Sequence, residues 1–401
     1  MKKAMGLFLS AAMVASLLVG CGSSAATEAP AATDAATEAA GTEAAADGAG
    51  FKIGGIGPVT GGAAVYGQAV KNGAQLAIDE INAAGGVNGT QLEYKFEDDE
   101  HDAEKSVNAY NTLKDWNMQI LMGTVTSMPC VAVAAKTAED NMYQLTPSGS
   151  AVECVQNDNA FRVCFSDPNQ GTASAQYIGE NKLATKVAVI YDSSDVYSSG
   201  IYEKFAQEAA NQGIEIVSAE SFTADNKTDF TTQLMKAKDG GAELVFLPIY
   251  YQEATLILKQ ADSMGFAPTF FGCDGLDGIL GVENFDTALA EGVMLLTPFA
   301  ADATDDMTAS FVTKYKEQFG DTPNQFAADA YDAIYIIKAA IEKSGVTADM
   351  SVSDICDGMK AAMTEISVDG LTGAGMTWTA DGEVNKAPKA VKIENGVYVA
   401  M

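Results

Sequence analysis

Short runs of β-branched and aromatic residues alternate with amphipathic segments from residue 51 almost to the end of this chain. The run 52–56 predicts a strand, and apolar residues spaced three and four apart from Val70 to Ile81 predict a helix over 67–84. Repeated strand–helix pairs form parallel sheets that helices cover on both faces. The pattern therefore predicts an α/β protein with doubly wound parallel sheets.

The pattern restarts near residue 168, which indicates a second lobe. Asp167 is suited to cap the next helix, and Pro168 is suited to be its first residue. The roughly 350 residues that follow the first 50 are too many for one ordinary core. We therefore expect two similar lobes with a cleft between them, where ligands bind beyond the carboxyl ends of the strands.

The first 50 residues differ from the rest of the chain. Lys2 and Lys3 precede an apolar run over 4–20, and the small residue Gly20 stands before Cys21. This order predicts a signal peptide over 1–20 and resembles the lipobox of bacterial lipoproteins, in which acyl chains on Cys21 would anchor the protein to the membrane. An uncleaved membrane anchor is the alternative. Residues 21–50, rich in Ala, Thr and acidic residues, are expected to be a disordered linker.

The composition argues against several classes of function. The formal net charge of −30 disfavours nucleic acid and an anionic membrane surface as partners. The one histidine, His101, stands in an acidic stretch and is predicted to lie on the surface. The cysteine spacings suit no zinc site. Because one histidine is also too few for most mechanisms that depend on histidine, we expect no metal, no cofactor and no enzymatic activity. Cys154 and Cys164 flank a segment that could turn and bring them together, and whether they are bridged stays open.

The glycine-rich stretch 54–62 resembles a dinucleotide-binding fingerprint only in part. Thr60 occupies the place of the third glycine, and Pro58 interrupts the turn. No Gly-Lys-Ser/Thr follows, so a P-loop is excluded as well. We interpret the glycines as residues that let a loop at the cleft edge turn tightly.

Hydroxyl side chains follow two predicted strands of the first lobe. Ser127 stands between a strand end and a helix start, and Ser148, Gly149 and Ser150 follow the next strand. A helix N-terminus offers free N–H groups and a partial positive charge. Ser127 is therefore either a plain helix cap or part of a carboxylate site.

Aromatic and acidic side chains follow strands of the second lobe. Tyr197 and Tyr250 are either core residues or walls of the cleft with a polar rim. Asp274 is either a turn residue or a group that holds an ammonium. A carboxylate site in one lobe and an ammonium site in the other would suit a zwitterion.

Several stretches resemble a known family. They are FKIGGIGPVTG at 51–61, Tyr66-Gly67, NGAQLAIDEIN at 72–82, GGVNG at 85–89, Thr146-Pro147 and Gly265-Phe266. Together they resemble the leucine/isoleucine/valine-type substrate-binding proteins of ABC importers over nearly all of 51–401. The resemblance implies the type I periplasmic binding protein fold, in which two lobes joined by three hinge strands close on a ligand.

The resemblance also assigns roles to the ligand-binding residues. It implies that Ser127 and Ser150, with the backbone at Ser148 and Gly149, hold the ligand carboxylate, that Asp274 holds the ammonium, that Tyr250 contacts the ligand, and that Tyr66 and Tyr197 line the side-chain pocket. Two departures stand out. A disulfide of some relatives would fall at His101 and Thr126, and is therefore absent. The acidic residue is Asp rather than Glu, whose longer arm would place the ammonium differently.

The function that the resemblance implies is import. An extracytoplasmic, lipid-anchored and monomeric protein would capture an amino acid, a branched-chain one first of all, and deliver it to ABC permease subunits. A signalling receptor as the partner, or another amino acid or amide as the ligand, are the alternatives. We expect one lobe to comprise 51–167 with 299–370 and the other 168–298 with 371–401, with hinge crossings near 166–168, 297–299 and 369–373.

Overall fold

The computed structural model describes residues 50–401. The predicted signal peptide, Cys21 and the predicted linker up to residue 49 lie outside the described residues. Within them, no helix is long and apolar enough to cross a membrane.

The first sheet is parallel throughout. Its order is β2-β1-β3-β4-β5, so the chain reverses direction across the sheet beside β1, where a crevice forms at the carboxyl ends of the strands. Strands β3, β4 and β5 are buried along their whole length because helices cover both faces. Its elements are β1 (Phe51–Gly57), α1 (Ala64–Ala83), β2 (Leu92–Asp98), α2 (Ala103–Asp115), β3 (Ile120–Gly123), α3 (Ser127–Asp140), β4 (Tyr143–Thr146) and β5 (Ala160–Arg162).

The second sheet has the order β12-β11-β10-β9-β8-β6-β7. Strands β6 to β10 pair in parallel, and β11 and β12 add an antiparallel edge. Its elements are α4 (Asp167–Glu180), β6 (Lys186–Asp192), α5 (Val196–Ala209), β7 (Glu215–Phe222), α6 (Thr231–Asp239), β8 (Leu244–Leu247), α7 (Tyr251–Ser263), β9 (Thr269–Gly272), β10 (Met294–Thr297), β11 (Lys389–Glu394) and β12 (Val397–Ala400).

Three helices lie between β10 and β11 in sequence but pack on the first sheet. Helix α9 (Gln325–Ser344) packs on α1 and contacts β3 and β4, α8 (Asp306–Phe319) packs on α1, and α10 (Val352–Met363) packs on α9 and β4. We call the first sheet with α1–α3 and α8–α10 the first lobe, and the second sheet with α4–α7 the second lobe. The prediction of an α/β protein with two parallel-dominant sheets is confirmed.

The chain passes between the lobes three times, between 162 and 167, between 297 and 306, and between 363 and 389. Lys386 links the first and third of these segments to α9. Its buried ammonium pairs with Asp329 Oδ1 at 2.8 Å and donates to Val163 O at 3.0 Å and to Thr372 Oγ1 at 2.7 Å. Because a buried charge needs several partners, this cluster stabilises the placement of these two segments relative to each other.

Two local predictions were wrong. The strand predicted over 52–56 is confirmed as β1, so the loop interpretation of the glycines fails from Gly54 to Gly57; at Gly57, an added Cβ would come within 2.3 Å of Val125 Cγ2, because that side chain approaches closely. The N-cap position of the helix after residue 166 is Ser166, whose side chain makes no capping hydrogen bond, and Asp167 is the buried first residue of the helix rather than its cap.

The structure leaves unbridged the cysteine pair that the sequence left open. The segment between Cys154 and Cys164 contains strand β5 instead of a simple turn, and no bridge joins them. The five cysteines within the described residues are all free and buried. Short 3-10 segments complete the described chain, at Gly61–Ala63, Val152–Val155, Asp274–Leu276, Ile279–Gly281 and Thr287–Ala290.

Candidate functional site

The carboxyl ends of β3 and β4 bring hydroxyl groups together in the first lobe. Ser127 is the first residue of α3, and its Oγ accepts hydrogen bonds from the N–H groups of Ser150 and Ala151, both at 3.2 Å. Ser148 Oγ donates to Val125 O at 2.7 Å. The loops that follow the two strands are thus held against each other, with Ser127 Oγ and Ser150 Oγ 3.5 Å apart.

The N-terminus of α3 keeps its donors free. The N-cap residue is Thr126 rather than Ser127, and its side chain makes no capping hydrogen bond. Neither Ser127 N–H nor Ser148 N–H has an acceptor among the described residues. Because free N–H groups and the helix dipole favour an anion, this end of the cleft can hold a carboxylate.

Asp274 provides the opposite charge in the second lobe. It follows β9 and is 5% exposed, and its Oδ1 accepts a hydrogen bond from Tyr197 Oη at 2.7 Å. Gln170 Oε1 accepts from Asp274 N–H at 3.2 Å. Burial raises the pKa of Asp274 to about 7, while the hydrogen bond from Tyr197 and, after it, the Gln170 side chain oppose the rise. A cation placed beside this carboxyl would favour its ionised form.

Tyrosine rings close the space between the two lobes. Tyr66 in α1 donates from Oη to Gly275 O at 2.5 Å and accepts from Tyr251 N–H at 3.2 Å, so a residue of the first lobe bonds to the second. The Tyr250 ring stacks on the Tyr197 ring with centroids 4.7 Å apart. The structure therefore has a closed cleft.

These groups line a small, partly open cavity, with about 220 Å³ of space that protein atoms do not fill, open solvent included. Hydroxyls and the start of α3 form one end, Asp274 and Tyr197 form the other, and apolar surface lies between them. The lining residues are Tyr66, Val125, Thr126, Ser127, Ser148, Ser150, Tyr197, Tyr250, Asp274, Gly275 and Phe326.

All the residues predicted to contact the ligand line this cavity, with the exception of Gly149. Its N–H donates to Thr146 Oγ1 at 2.7 Å and its carbonyl accepts from Arg162 at 3.3 Å, so its backbone groups are used within the lobe. Val125, Thr126 and Gly275 were missed although they adjoin predicted residues. Phe326 was missed because it lies in α9, where no local pattern marks it.

His101 is not the surface residue that the sequence suggested. Its side chain is 23% exposed, and its Nδ1 lies within hydrogen-bond distance of Thr126 Oγ1, at 2.8 Å. The ring also packs edge-on against Tyr250, with centroids 5.3 Å apart. The described residues contain no group of His, Cys, Asp and Glu that could hold a metal ion.

Known proteins are similar to this chain in both sequence and fold. The sequence profile named Periplasmic binding protein matches residues 50–396. Leu/Ile/Val-binding protein homolog 3 of Brucella melitensis is 31% identical over 303 residues, which are 74% of this chain and 80% of that protein.

Solved structures agree with the sequence comparison. The branched-chain amino acid transporter substrate binding protein LivJ from Streptococcus pneumoniae, in complex with isoleucine, is 28% identical with a TM-score of 0.79, over 88% of this chain and 100% of that chain. The leucine binding protein LivK from Thermotoga maritima is 26% identical with a TM-score of 0.78, over 88% and 97% of the two chains. The sequence match, the two sheets and the closed cleft lead to one conclusion: the chain belongs to the periplasmic binding protein family and has the type I fold of that family.

Proposed function

We propose that this protein binds a branched-chain amino acid in the closed cleft and delivers it to the permease of an ABC importer. The observation that carries the proposal is the polarity of one cavity. Ser127, Ser150 and the start of α3 supply hydrogen-bond donors at one end, and Asp274 supplies a carboxyl at the other. An α-amino acid carries a carboxylate and an ammonium on one carbon, which matches two opposed half-sites.

The walls between the two ends favour an apolar side chain. Val125, Phe326 and Tyr66 line the cavity, and no Lys or Arg is among the lining residues. The space between the two ends is small, so it suits a small ligand better than a large one. A single aliphatic amino acid is therefore the class of ligand that we propose, as in the isoleucine complex of the pneumococcal relative.

Hinge closure is the proposed mechanism of capture. Each half-site belongs to a different lobe, so a ligand that contacts both stabilises the closed form relative to an open one. We place the lobe bounds at 51–167 with 299–370 and 168–298 with 371–401. The closed form would dock on the permease and release the ligand inward, without covalent chemistry.

The N-terminal residues provide the proposed location. Cleavage before Cys21 and acylation of its thiol would hold a monomeric, acidic domain at the outer face of the cytoplasmic membrane. A linker of residues 21–50 would then keep the binding domain within reach of the permease.

Ligand binding is tested with the unit comprising residues 46–401, which forms one compact body. After removal of any co-purified ligand, thermal unfolding is measured with each of the common amino acids. A ligand at 100 times its dissociation constant adds about 2.7 kcal/mol of apparent stability. We expect leucine, isoleucine or valine to give the largest shift, and no shift with any amino acid would refute the proposal.

The orientation of the ligand is tested by a pair of variants and a pair of analogues. Ser127→Ala should weaken leucine but not isoamylamine, which has no carboxylate. The matched control is Ser263→Ala in the exposed end of α7, whose hydroxyl bonds only to Lys259 O. Equal losses for leucine and isoamylamine would contradict the assignment of the carboxylate to Ser127.

Import is separated from sensing in the cell. Deletion of the gene should abolish uptake of the labelled amino acid that binds in vitro, and the wild-type gene should restore it. Unchanged uptake together with loss of a ligand-induced response would instead support a signalling role.

A further inference from the structure

His101 is the one histidine of the chain, and its loop is built to hold it in place. Residues 100 and 101 have left-handed backbone conformations, with φ of 51° and 60°, which non-glycine residues adopt infrequently. Two carboxylates stabilise this backbone conformation. Asp98 accepts a hydrogen bond from Glu100 N–H at 3.0 Å, and Asp99 accepts one from His101 N–H at 2.9 Å. The backbone that carries the imidazole is therefore held in place beside the cleft.

The hydrogen-bond partner of this imidazole is a residue that would otherwise cap α3. A threonine at the N-cap position normally accepts a hydrogen bond from the second or third N–H of its helix. Thr126 makes no such bond, and its Oγ1 lies 2.8 Å from His101 Nδ1 instead. The third residue of the helix is Pro129, which has no N–H, so Met128 N–H is the single donor that Thr126 could cap.

The direction of the Thr126 hydroxyl thus decides whether the start of α3 is available. With the hydroxyl held by His101, the N–H groups of Ser127 and Met128 have no acceptor among the described residues. If the hydroxyl turned to cap Met128, its lone pairs would occupy the donor that an anion at this helix end would use. Cap and carboxylate would then compete for the same positively polarised end.

We propose that His101 is a positioning residue for the ligand carboxylate, because it holds the Thr126 hydroxyl away from the first turn of α3 and leaves the N–H groups there for the ligand. The inference rests on the proposed function, since it needs a ligand that carries a carboxylate at this end of the cavity. His101 itself does not touch the ligand in this arrangement; it acts through Thr126.

The surroundings keep His101 uncharged at neutral pH. Burial and, after it, the charge of Lys227 lower the pKa of His101 to about 4, while Asp192 and Asp102 oppose this effect. Asp195 Oδ2 lies 4.0 Å from Nε2, and the neutral ring makes no ion pair with it. A neutral imidazole therefore acts on the carboxylate site through its hydrogen bond to Thr126 and not through a charge.

A double-mutant cycle tests the role of the Thr126 hydroxyl. The affinity for L-leucine is measured by calorimetry for the wild type, His101→Ala, Thr126→Val and the double variant, with the 46–401 unit. His101→Ala should weaken leucine roughly 5- to 30-fold, the equivalent of about one helix cap. In the Thr126→Val background, where no hydroxyl can turn to cap the helix, the same change should cost less than about 2-fold.

Two further variants separate the hydrogen bond from ring packing. His101→Asn keeps an acceptor and a donor near the position of Nδ1, and we expect it to retain most of the affinity for leucine. His101→Phe keeps a ring against Tyr250 but has no nitrogen, and we expect it to lose as much as His101→Ala. L-leucinamide, in which the carboxylate is replaced by a neutral amide, should be much less sensitive to His101→Ala than leucine is.

A measurement without ligand makes the test independent of the proposed function. Hydrogen exchange at Met128 N–H should slow in His101→Ala, as the freed hydroxyl caps the helix, and return to the wild-type rate in the double variant. A wild type that binds no amino acid would refute the proposed function alone. Equal losses from His101→Ala in both Thr126 backgrounds, full affinity in His101→Phe, or unchanged exchange at Met128 would overturn the positioning role.

Discussion

Replacement of Asp274 by asparagine should have opposite effects on ligand binding and on the stability of the ligand-free protein. The substitution keeps the shape of the side chain and an oxygen that can accept the hydrogen bond from Tyr197 Oη, now at 2.7 Å. It removes the negative charge that we assign to the ligand ammonium. The two effects have different magnitudes and a different dependence on pH.

The loss of binding follows from the burial of the site. Asp274 is 5% exposed, so the ammonium would face it in a desolvated cavity. Removal of one partner of a buried, hydrogen-bonded charge pair costs about 2–5 kcal/mol, which is roughly 30-fold to several thousand-fold in the dissociation constant. We therefore expect Asp274→Asn to weaken leucine by at least about 30-fold.

The gain in stability follows from the raised pKa of the carboxyl. In the closed cleft, burial raises the pKa of Asp274 from 3.8 to about 7, so a ligand-free protein in this conformation binds the proton more tightly than the unfolded chain does. The resulting loss of stability is absent below the unfolded pKa, grows as the pH rises and reaches at most about 4 kcal/mol above pH 7. Asp274→Asn should remove it, so the ligand-free variant should be more stable near pH 8 and unchanged near pH 4.

Calorimetry with leucine and denaturant unfolding of the ligand-free protein measure the two effects. The matched control is Asp277→Asn, since Asp277 is equally buried, has a pKa raised to about 6 by burial, and accepts from Gln325 N–H at 2.8 Å without lining the cavity. It should change stability but not affinity. Unchanged leucine affinity in Asp274→Asn, or a ligand-free variant less stable than the wild type near pH 8, would refute the reasoning.

Three other changes have definite expected outcomes. Gly275→Ala would place a Cβ 2.7 Å from a backbone carbonyl, so it should lower the unfolding free energy by about 1–3 kcal/mol and weaken leucine binding. Gly281→Ala, where a Cβ would meet open space, should do neither. Lys386→Met would leave the buried carboxyl of Asp329 unpaired and should lower the unfolding free energy by about 3–5 kcal/mol in urea titrations. Cys21→Ser should move the protein from the membrane fraction to the soluble fraction of cells.

Each of these expectations has a contrary result. Equal effects of the two glycine substitutions would mean that the close packing around residue 275 does not determine the site. A loss below about 1 kcal/mol for Lys386→Met would mean that solvent reaches Asp329. Retention of the Cys21→Ser variant in washed membranes would favour an uncleaved anchor over lipidation.

Periodicity predicted most of the fold because each helix and strand buries apolar residues that recur at a regular spacing in the sequence. The strand predicted over 52–56 and the helix predicted over 67–84 are observed at Phe51–Gly57 and Ala64–Ala83, so their ends differ from the prediction by a few residues. Strand β5 (Ala160–Arg162) was missed because three residues are too few to show a period. Helices α8–α10 pack on the first sheet because the chain crosses back between the lobes, and no short-range sequence pattern predicts where a chain crosses.

The sequence predicted the site residues that lie in loops after strand ends. Ser127, Tyr250 and Asp274 stand directly after strands, and the carboxyl ends of parallel strands share one edge of a sheet, so their approach to a common cleft could be expected. Phe326 could not, because it reaches the cavity from a helix that is remote in sequence. Gly149 was included by resemblance although its backbone groups bond within its own lobe.

The sequence by itself determined the alternation of strands and helices, the hydroxyl and acidic groups at the strand ends, and the basic, apolar and cysteine-containing start of the chain. These follow from short-range periodicity and residue chemistry. Only the tertiary structure decided which groups face one another across the lobes. In the folded protein Asp274 is buried and its pKa is raised, Tyr66 bonds to Gly275 across the lobes, and the lone histidine lies beside Thr126. Burial and long-range contact, which arise only when distant segments pack together, give those residues their chemical properties.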